Sequence, residues 1–500
     1  MPGKVTLVGA GPGDPGLLTV KGRAALEGAE VVVYDRLVGP EILALMPEGA
    51  KKIDVGKTAS RHPVPQGQIN EVLVEEARAG HNVVRLKGGD PFLFGRGGEE
   101  LEALSAAGVD FEEVPGITSA IAAAAYGGIP VTHRNYSSSL HIVTGRAKAG
   151  EPLSIDFDAL VRTRGTLVFL MGAAALPEIT AGLLEAGMDG GTPAAMVENG
   201  TLPGQRRCDA TLDTLETRAR EMDIQSPALI VVGEVCRLAE TLCWFERRPL
   251  HGKRIVVTRP KLRAGTICAR LRALGAEVIE FPCIETVPID PCPAMDAAME
   301  NIGDYEWLVF TSPAGVEAFW ARLRRTGRDA RCLGGVRLAV TGPATAEALE
   351  KCGLVPDLMP GTYSGAQLGE SLAKGTGGRV LLLRAEEASR ALTDALEAAG
   401  IPYNDVAVYR TRYGDPRSQA LREALEAGRI DFVTFTSAST VKGFAAAVGA
   451  DADFSRTLGL CIGEQTAAEA GRRGIPVRVA EEATIDRVVE LAECEGAKCV

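Results

Sequence analysis

The 500 residues contain no Cys-x-x-Cys pair, and their eleven cysteines are scattered; the nearest neighbours, Cys494 and Cys499, lie in the C-terminal tail. An odd, widely spaced set without a secretory leader predicts reduced, mostly buried thiols and no disulfide framework. Histidine is scarce, with five residues far from any paired cysteines, so no metal site is expected. No apolar run approaches the roughly 18 residues of a membrane helix, and the N-terminus lacks the basic start and apolar stretch of a signal peptide. A surplus of positive charge is missing too. The net charge of −11 argues against a general nucleic-acid binder. The expectation is a cytoplasmic protein without metal, membrane or nucleic-acid partners.

What is present is a long, compactly composed chain. Hydrophobic residues make up 46% and charged residues 24%, which suits globular folding and excludes disorder. The length implies two to four domains. Apolar strands alternate with helix-like stretches, so the fold class is α/β. Ile69, Val72, Leu73 and Ala77 have helical spacing and predict a helix on a sheet.

The first strand empties into a glycine-rich loop, Val5 through Gly9-Ala10-Gly11-Pro12-Gly13-Asp14-Pro15-Gly16. Glycine there permits positive φ and close approach of a ligand to the backbone. A dinucleotide fingerprint starting at Gly9 needs glycine at 14, which is Asp14, and Pro12 removes an N–H from the phosphate position. That speaks against an NAD-binding oxidoreductase.

Further motifs follow in order: Tyr34-Asp35-Arg36-Leu37-Val38, Gly56-Lys57, the run from Val84 through Gly88-Gly89-Asp90 to Glu99-Glu100, and Val114 to Ser119. Together these closely resemble the tetrapyrrole methylases, and within them the uroporphyrinogen-III C-methyltransferases. The resemblance covers about residues 4 to 245. It implies a two-lobed methylase fold holding S-adenosylmethionine against Pro12, Gly88, Gly89, Asp90, Leu93, Thr118, Ser119, Met171 and Gly200. It also implies Asp35 as proton acceptor and Lys57 as proton donor, with Arg96 as a competing candidate for the base. A homodimer formed through this half is a further implication.

Uroporphyrinogen III carries eight carboxylates and the chain is acidic, so basic residues must gather locally. Lys57, Arg61, Arg85, Lys87, Arg96, Arg134 and Arg146 lie at or beside the motif loops. Arg96, between glycines, has no helical face to decorate; with Glu99, Arg134 and Arg146 it is a candidate substrate anchor.

The second half repeats itself. Arg254–Arg259 recurs as Arg379–Arg384, Ala273-Leu274-Gly275 as Ala398-Ala399-Gly400, and Thr311-Ser312 as Thr436-Ser437, each 125 residues later. Gly342-Pro343-Ala344-Thr345-Ala346 recurs 121 residues later as Gly463-Glu464-Gln465-Thr466-Ala467. Four anchors in one order predict two duplicated α/β lobes of about 125 residues. This half resembles uroporphyrinogen-III synthase, which implies two lobes joined by a two-stranded linker. It also implies a role for Tyr409 in catalysis and for Ser437 (or Ser439) and Thr466 in holding substrate.

The expected domains are 1–245 (lobes about 1–133 and 134–245), a linker 246–252, and 253–500. Within the last, lobe one takes about 253–285 plus 411–500 and lobe two about 286–410. The expected function is bifunctional: cyclisation of hydroxymethylbilane to uroporphyrinogen III, then methylation of that product to precorrin-2. The chain begins at the methylase strand without the oxidation and iron-insertion region of siroheme synthases, so the product is expected to stop there, with siroheme or cobalamin downstream. Three alternatives stay open: a methylase for another corrinoid intermediate with a non-catalytic second half, an NAD-binding oxidoreductase, and duplicated lobes that only bind tetrapyrrole.

Overall fold

The computed structural model describes residues 3–56, 64–146, 153–259, 261–375, 377–413, 418–449 and 451–498. The chain divides into two compact units, Met1–Lys253 with Arg270–Glu277 and Glu493–Val500, and Arg254–Ala269 with Val278–Ala492. Among the described residues no helix is long and apolar enough to cross a membrane.

The first unit holds two sheets. The first contains β1 (Lys4–Gly9), β2 (Val31–Tyr34), β3 (Lys51–Asp54), β4 (Val83–Lys87) and β5 (Asp110–Val114), all parallel, in the order β3-β2-β4-β1-β5. Alternation along β1 sends Val5 and Leu7 into a core shared with Ile69, Leu73 and Ala77, while Val8 and Ala10 pack with Leu26 and Ile42 on the other face. The expected helix is therefore real and spans Gln66–Arg78. From β1 the chain crosses to β2, and from β4 it crosses the opposite way to β5. The connections thus leave the C-terminal ends of neighbouring β1 and β4 in opposite directions, the crevice position where such sheets hold ligands.

The second sheet contains β6 (Leu140–Thr144), β7 (Thr166–Leu170), β8 (Pro193–Glu198), β9 (Arg206–Thr211) and β10 (Ala228–Val232), in the order β6-β7-β10-β8-β9. Only β6 and β7 are parallel. The segment read as a linker packs on this unit, where Glu246 accepts from Gln205 Nε2 at 3.0 Å and His251 Nε2 lies 3.0 Å from the Gln205 carbonyl oxygen; the residues just before it do the same. Trp244 Nε1 donates to the Ala125 carbonyl at 3.1 Å, and Trp244 and Phe245 each stack 4.8 Å from the Tyr126 ring.

The second unit also holds two sheets. One contains β11 (Arg254–Val257) and β12 (Glu277–Glu280); the other contains β13 (Ile284–Pro288), β14 (Trp307–Phe310), β15 (Arg337–Val340), β16 (Val380–Ala385) and β17 (Tyr403–Tyr413). The chain then returns to the first with β18 (Phe432–Phe435), β19 (Leu458–Cys461) and β20 (Val477–Val479). Their orders are β12-β11-β18-β19-β20 and β13-β17-β16-β14-β15. The two crossings between lobes pair with each other, β13 antiparallel to β17 from Ile284↔Tyr413 to Pro288↔Tyr409. This is the two-stranded linker.

The repeat maps onto these sheets strand for strand. Strand β11 corresponds to β16, β14 to β18 and β15 to β19, and each set is adjacent in its sheet. Gly275 and Gly400 both adopt positive φ, at 100° and 70°, after the helices Lys261–Ala273 and Ala391–Ala398, where glycine ends a helix without steric cost. The expected lobes, about 253–285 plus 411–500 and about 286–410, both draw on the two copies. In the structure lobe one takes β11 and β12 from the first copy and β18–β20 from the second, and lobe two takes β13–β15 from the first and β16 and β17 from the second.

Candidate active sites

In the first unit two glycine loops meet across the crevice. Gly11 N–H donates to the Gly89 carbonyl at 3.1 Å, and Gly89 N–H returns a bond to Gly11 at 2.7 Å. Gly89 has φ +68° and open space where a Cβ would stand, whereas a Cβ on Gly88 would lie 2.7 Å from that of Leu37. The loops thus present backbone to the crevice, with Pro12 between two positive-φ glycines.

Asp90 builds this edge. Its Oδ1 accepts from the N–H groups of Phe92 and Leu93 at 2.9 and 3.1 Å, and its Oδ2 from Gly116 N–H at 3.0 Å. It therefore ties the loop after β4 to the loop after β5, where Thr118 caps the helix Ser119–Tyr126. Burial and the neighbouring Asp90 charge push the Glu113 carboxyl above its usual range.

The second lobe closes on the same loop. Tyr126 Oη donates to Asp14 Oδ2 at 2.7 Å, and Asp14 N–H donates to Thr201 Oγ1 at 3.2 Å. Burial and the Asp14 carboxylate raise the Tyr126 phenol well above its usual range. Gly200 packs on Ala123, where a Cβ would clash. Met171 ends β7 with φ +57° and 46% exposure. Left-handed non-glycine residues are costly, and Phe94, Arg96, Met171, Asn199 and Thr201 all have that conformation on these loops.

The basic residues divide into two groups. Arg85 and Lys87 were expected to line the cleft, and the structure corrects this: they are 3% and 4% exposed, both paired with the fully buried Glu100. They sit two apart on β4 and so share a face, which turns inward toward the helix Gly97–Ala106 that carries Glu100. Arg96, Arg134 and Arg146 are exposed. Arg96 makes a two-bond fork to Glu99, Nε to Oε1 at 2.8 Å and Nη2 to Oε2 at 2.6 Å; these bonds raise the guanidinium and lower the Glu99 carboxyl from their usual ranges. Lys57 and Arg61 lie outside the described residues.

Asp35 follows β2 beside the crevice. Its Oδ1 accepts from Leu37 N–H at 3.1 Å, and its Oδ2 lies 3.6 Å from Arg85 Nη2. Sequence reasoning missed Glu100, Gln66 and the Asp14–Tyr126 bond. The doubled Glu99-Glu100 was the one local signal for the first of these.

In the second unit Tyr409 Oη lies 2.9 Å from Ser312 Oγ. Ser312 caps the helix Pro313–Arg325, and its repeat partner Ser437 caps Ala438–Val448. Ser437 Oγ is 2.9 Å from Ser439 Oγ. Thr466 lies in the first turn of the helix Glu464–Gly471 and is only 4% exposed, as is its repeat partner Thr345. Each lobe thus carries a serine cap and a buried threonine on neighbouring strand ends. Ser312 stood in the repeat but was not read as a site residue.

The sequence model of the Tetrapyrrole (Corrin/Porphyrin) Methylases matches residues 4–216, and that of Uroporphyrinogen-III synthase HemD matches residues 266–490. The porphyrin biosynthesis protein HemD of Ruminiclostridium josui is 47% identical over 98% of this chain and 97% of its own. The chain belongs to the fused methylase–synthase family of porphyrin biosynthesis. It is an enzyme with a uroporphyrinogen-III C-methyltransferase half and a uroporphyrinogen-III synthase half. The uroporphyrinogen-III C-methyltransferase of Bacillus subtilis is 41% identical over 72% of this chain and 74% of its own. A solved uroporphyrin-III C-methyl transferase from Thermus thermophilus, complexed with S-adenyl homocysteine, is 42% identical over 47% of this chain and 99% of its own, with a TM-score of 0.41.

Proposed function

We propose that the first unit methylates uroporphyrinogen III at C2 and C7 with S-adenosylmethionine, giving precorrin-2. We propose further that the second unit supplies that substrate by closing hydroxymethylbilane with inversion of ring D. The observation that carries the reading is the crevice between β1 and β4, whose paired glycine loops leave the face of Gly89 open. We assign Pro12, Gly88, Gly89, Asp90, Leu93, Thr118, Ser119, Met171 and Gly200 to the cofactor. S-Adenosylmethionine brings a methyl group on a sulfonium sulfur that leaves without acid assistance, so alignment is the chain's main contribution.

Asp35 is assigned as the base that takes the proton the methylated ring must lose. Its carboxylate is partly open to solvent and its Oδ1 is pinned by Leu37. Arg96 makes a poor base, because Glu99 holds its proton. Its fork suits a substrate carboxylate that displaces Glu99, and Arg134 and Arg146 are assigned the same anchoring role. Lys57 keeps its role as proton donor from the family likeness. In the second unit Tyr409, oriented by Ser312, is assigned acid assistance to the departing hydroxyl, with Ser437 and Thr466 holding substrate. A homodimer formed through the first unit and a cytoplasmic location complete the reading.

The test supplies hydroxymethylbilane and S-adenosylmethionine to the full chain without added synthase and identifies the product by absorbance and mass. Dimethylated precorrin-2 is expected. Accumulation of the type-I isomer alone would refute the synthase assignment.

A further inference from the structure

The charges behind Asp35 have no part in the reaction as assigned above. Glu100 is fully buried, and its two oxygens are unequally used. Oε1 accepts from Gln66 Nε2 at 3.2 Å, Arg85 Nε at 3.2 Å and Lys87 Nζ at 2.8 Å, while Oε2 has no hydrogen-bond partner. Arg85 stands between the two carboxylates. Its Nη1 donates to the carbonyls of Val33 and Leu86 at 3.4 and 3.2 Å, and its Nη2 is 3.6 Å from Asp35, beyond hydrogen-bond length. Two cations and two carboxylates therefore share one cluster, three of the four side chains buried, where removing one charge redistributes the others.

We propose that Glu100 is a positioning residue that sets how strongly Asp35 takes up a proton, by competing with it for Arg85. The proposal rests on the assignment of Asp35 as the base. Around Asp35 the chain places Arg36, the next residue, and Asp54 at the end of β3, whose Oδ1 accepts from Gly56 N–H at 2.8 Å. Strand β4 contributes Arg85 and Lys87, and the end of β2 contributes Asp35. The helix Gln66–Arg78 offers only the neutral Gln66 and Asn70, and Glu100's own helix adds the mutually paired Arg96 and Glu99 at the surface. Burial and the Arg85 charge hold the Lys87 ammonium below its usual range, and the Glu100 carboxylate works against both.

With Glu100 charged, Arg85 is drawn to Oε1 and leaves Asp35 free to act. Without that charge Arg85 keeps Asp35 as its one carboxylate, and ionised Asp35 becomes a weaker base. Removing Lys87 does the opposite. Glu100 then relies on Arg85 alone, and Asp35 sees less positive charge.

The experiment measures kcat against pH for the full chain, with saturating uroporphyrinogen III and S-adenosylmethionine, in Glu100→Gln, Lys87→Met and Asp35→Asn. The acid limb should move to lower pH in Glu100→Gln and to higher pH in Lys87→Met, each by about one pH unit. Limbs that stay in place, or move the same way in both variants, overturn the proposal. If Glu100→Gln fails to bind S-adenosylhomocysteine in calorimetry and is judged unfolded, Lys87→Met decides alone by the presence or absence of its upward shift. A full kcat in Asp35→Asn removes the base assignment and the proposal with it. Loss of kcat there with unmoved limbs in the others removes only the role of Glu100.

Discussion

Replacing Asp90 separates a residue that builds the crevice from one that only touches what enters it. Both of its oxygens are taken by backbone, two bonds to its own loop and one to Gly116. Bonds to an ionised acceptor contribute about 1.5–3 kcal/mol each. Asp90 is half-buried, so water replaces part of that loss, and the three together come to roughly 3–4 kcal/mol. Asparagine retains one acceptor oxygen for Phe92 and Leu93, but its amide faces the Gly116 N–H donor to donor, a loss of about 1–2 kcal/mol. Each kcal/mol lowers Tm by about 2–4 °C in domains of this size class. The ligand-free first unit should therefore melt roughly 2–8 °C lower in Asp90→Asn and roughly 6–16 °C lower in Asp90→Ala. Scanning calorimetry of the full chain, followed by titration with S-adenosylhomocysteine, reads both stability and affinity. Affinity should fall by about tenfold or more in both variants. An unchanged melting temperature with lost affinity would refute the loop-building role, and no change in either would remove Asp90 from the site.

Arg96→Lys keeps the charge but loses the fork, so it should raise KM for uroporphyrinogen III by about tenfold and leave kcat within a few-fold. A collapse of kcat at unchanged KM would make Arg96 the base. Tyr126→Phe deletes the bond that ties the first glycine loop to the second lobe. Cofactor affinity should weaken by about 1–2 kcal/mol in calorimetry while cyclisation stays intact; equal affinity would show that the bond does not shape the crevice. Tyr409→Phe should cut cyclisation turnover about a hundredfold, raise the share of type-I product and leave methylation of supplied uroporphyrinogen III untouched. Normal cyclisation would return Tyr409 to a packing role.

Local chemistry was legible in the sequence, and pairings across the chain were not. The glycine loop after β1 and the helix Gln66–Arg78 follow from φ freedom and apolar spacing, both carried by neighbouring residues. Arg85 and Lys87 were misread because what buries them, Glu100, arrives from a different element. Their alternation already placed them on one face of a strand; only tertiary packing decided that the face turns inward. Asp14 was read as the residue that spoils a dinucleotide fingerprint, yet its carboxylate caps Gly16 and receives Tyr126. The duplication was likewise visible as similarity, but similarity carries no information on which copy's strand adds to which sheet.

That exchange of strands has a consequence for the order in which the second unit can form. Lobe two is an uninterrupted insertion, and its strands pair within it, β14 with β16 and β13 with β17. Lobe one must instead join Arg254 to Asp431 across 177 residues. Once lobe two has folded, however, the β13–β17 pair holds both ends of the insertion side by side, and the long loop behaves as a short one. Lobe two is thereby the template on which lobe one closes. A destabilising change buried in lobe two, at Leu308 or Leu381 for instance, slows the assembly of a sheet that contains neither residue.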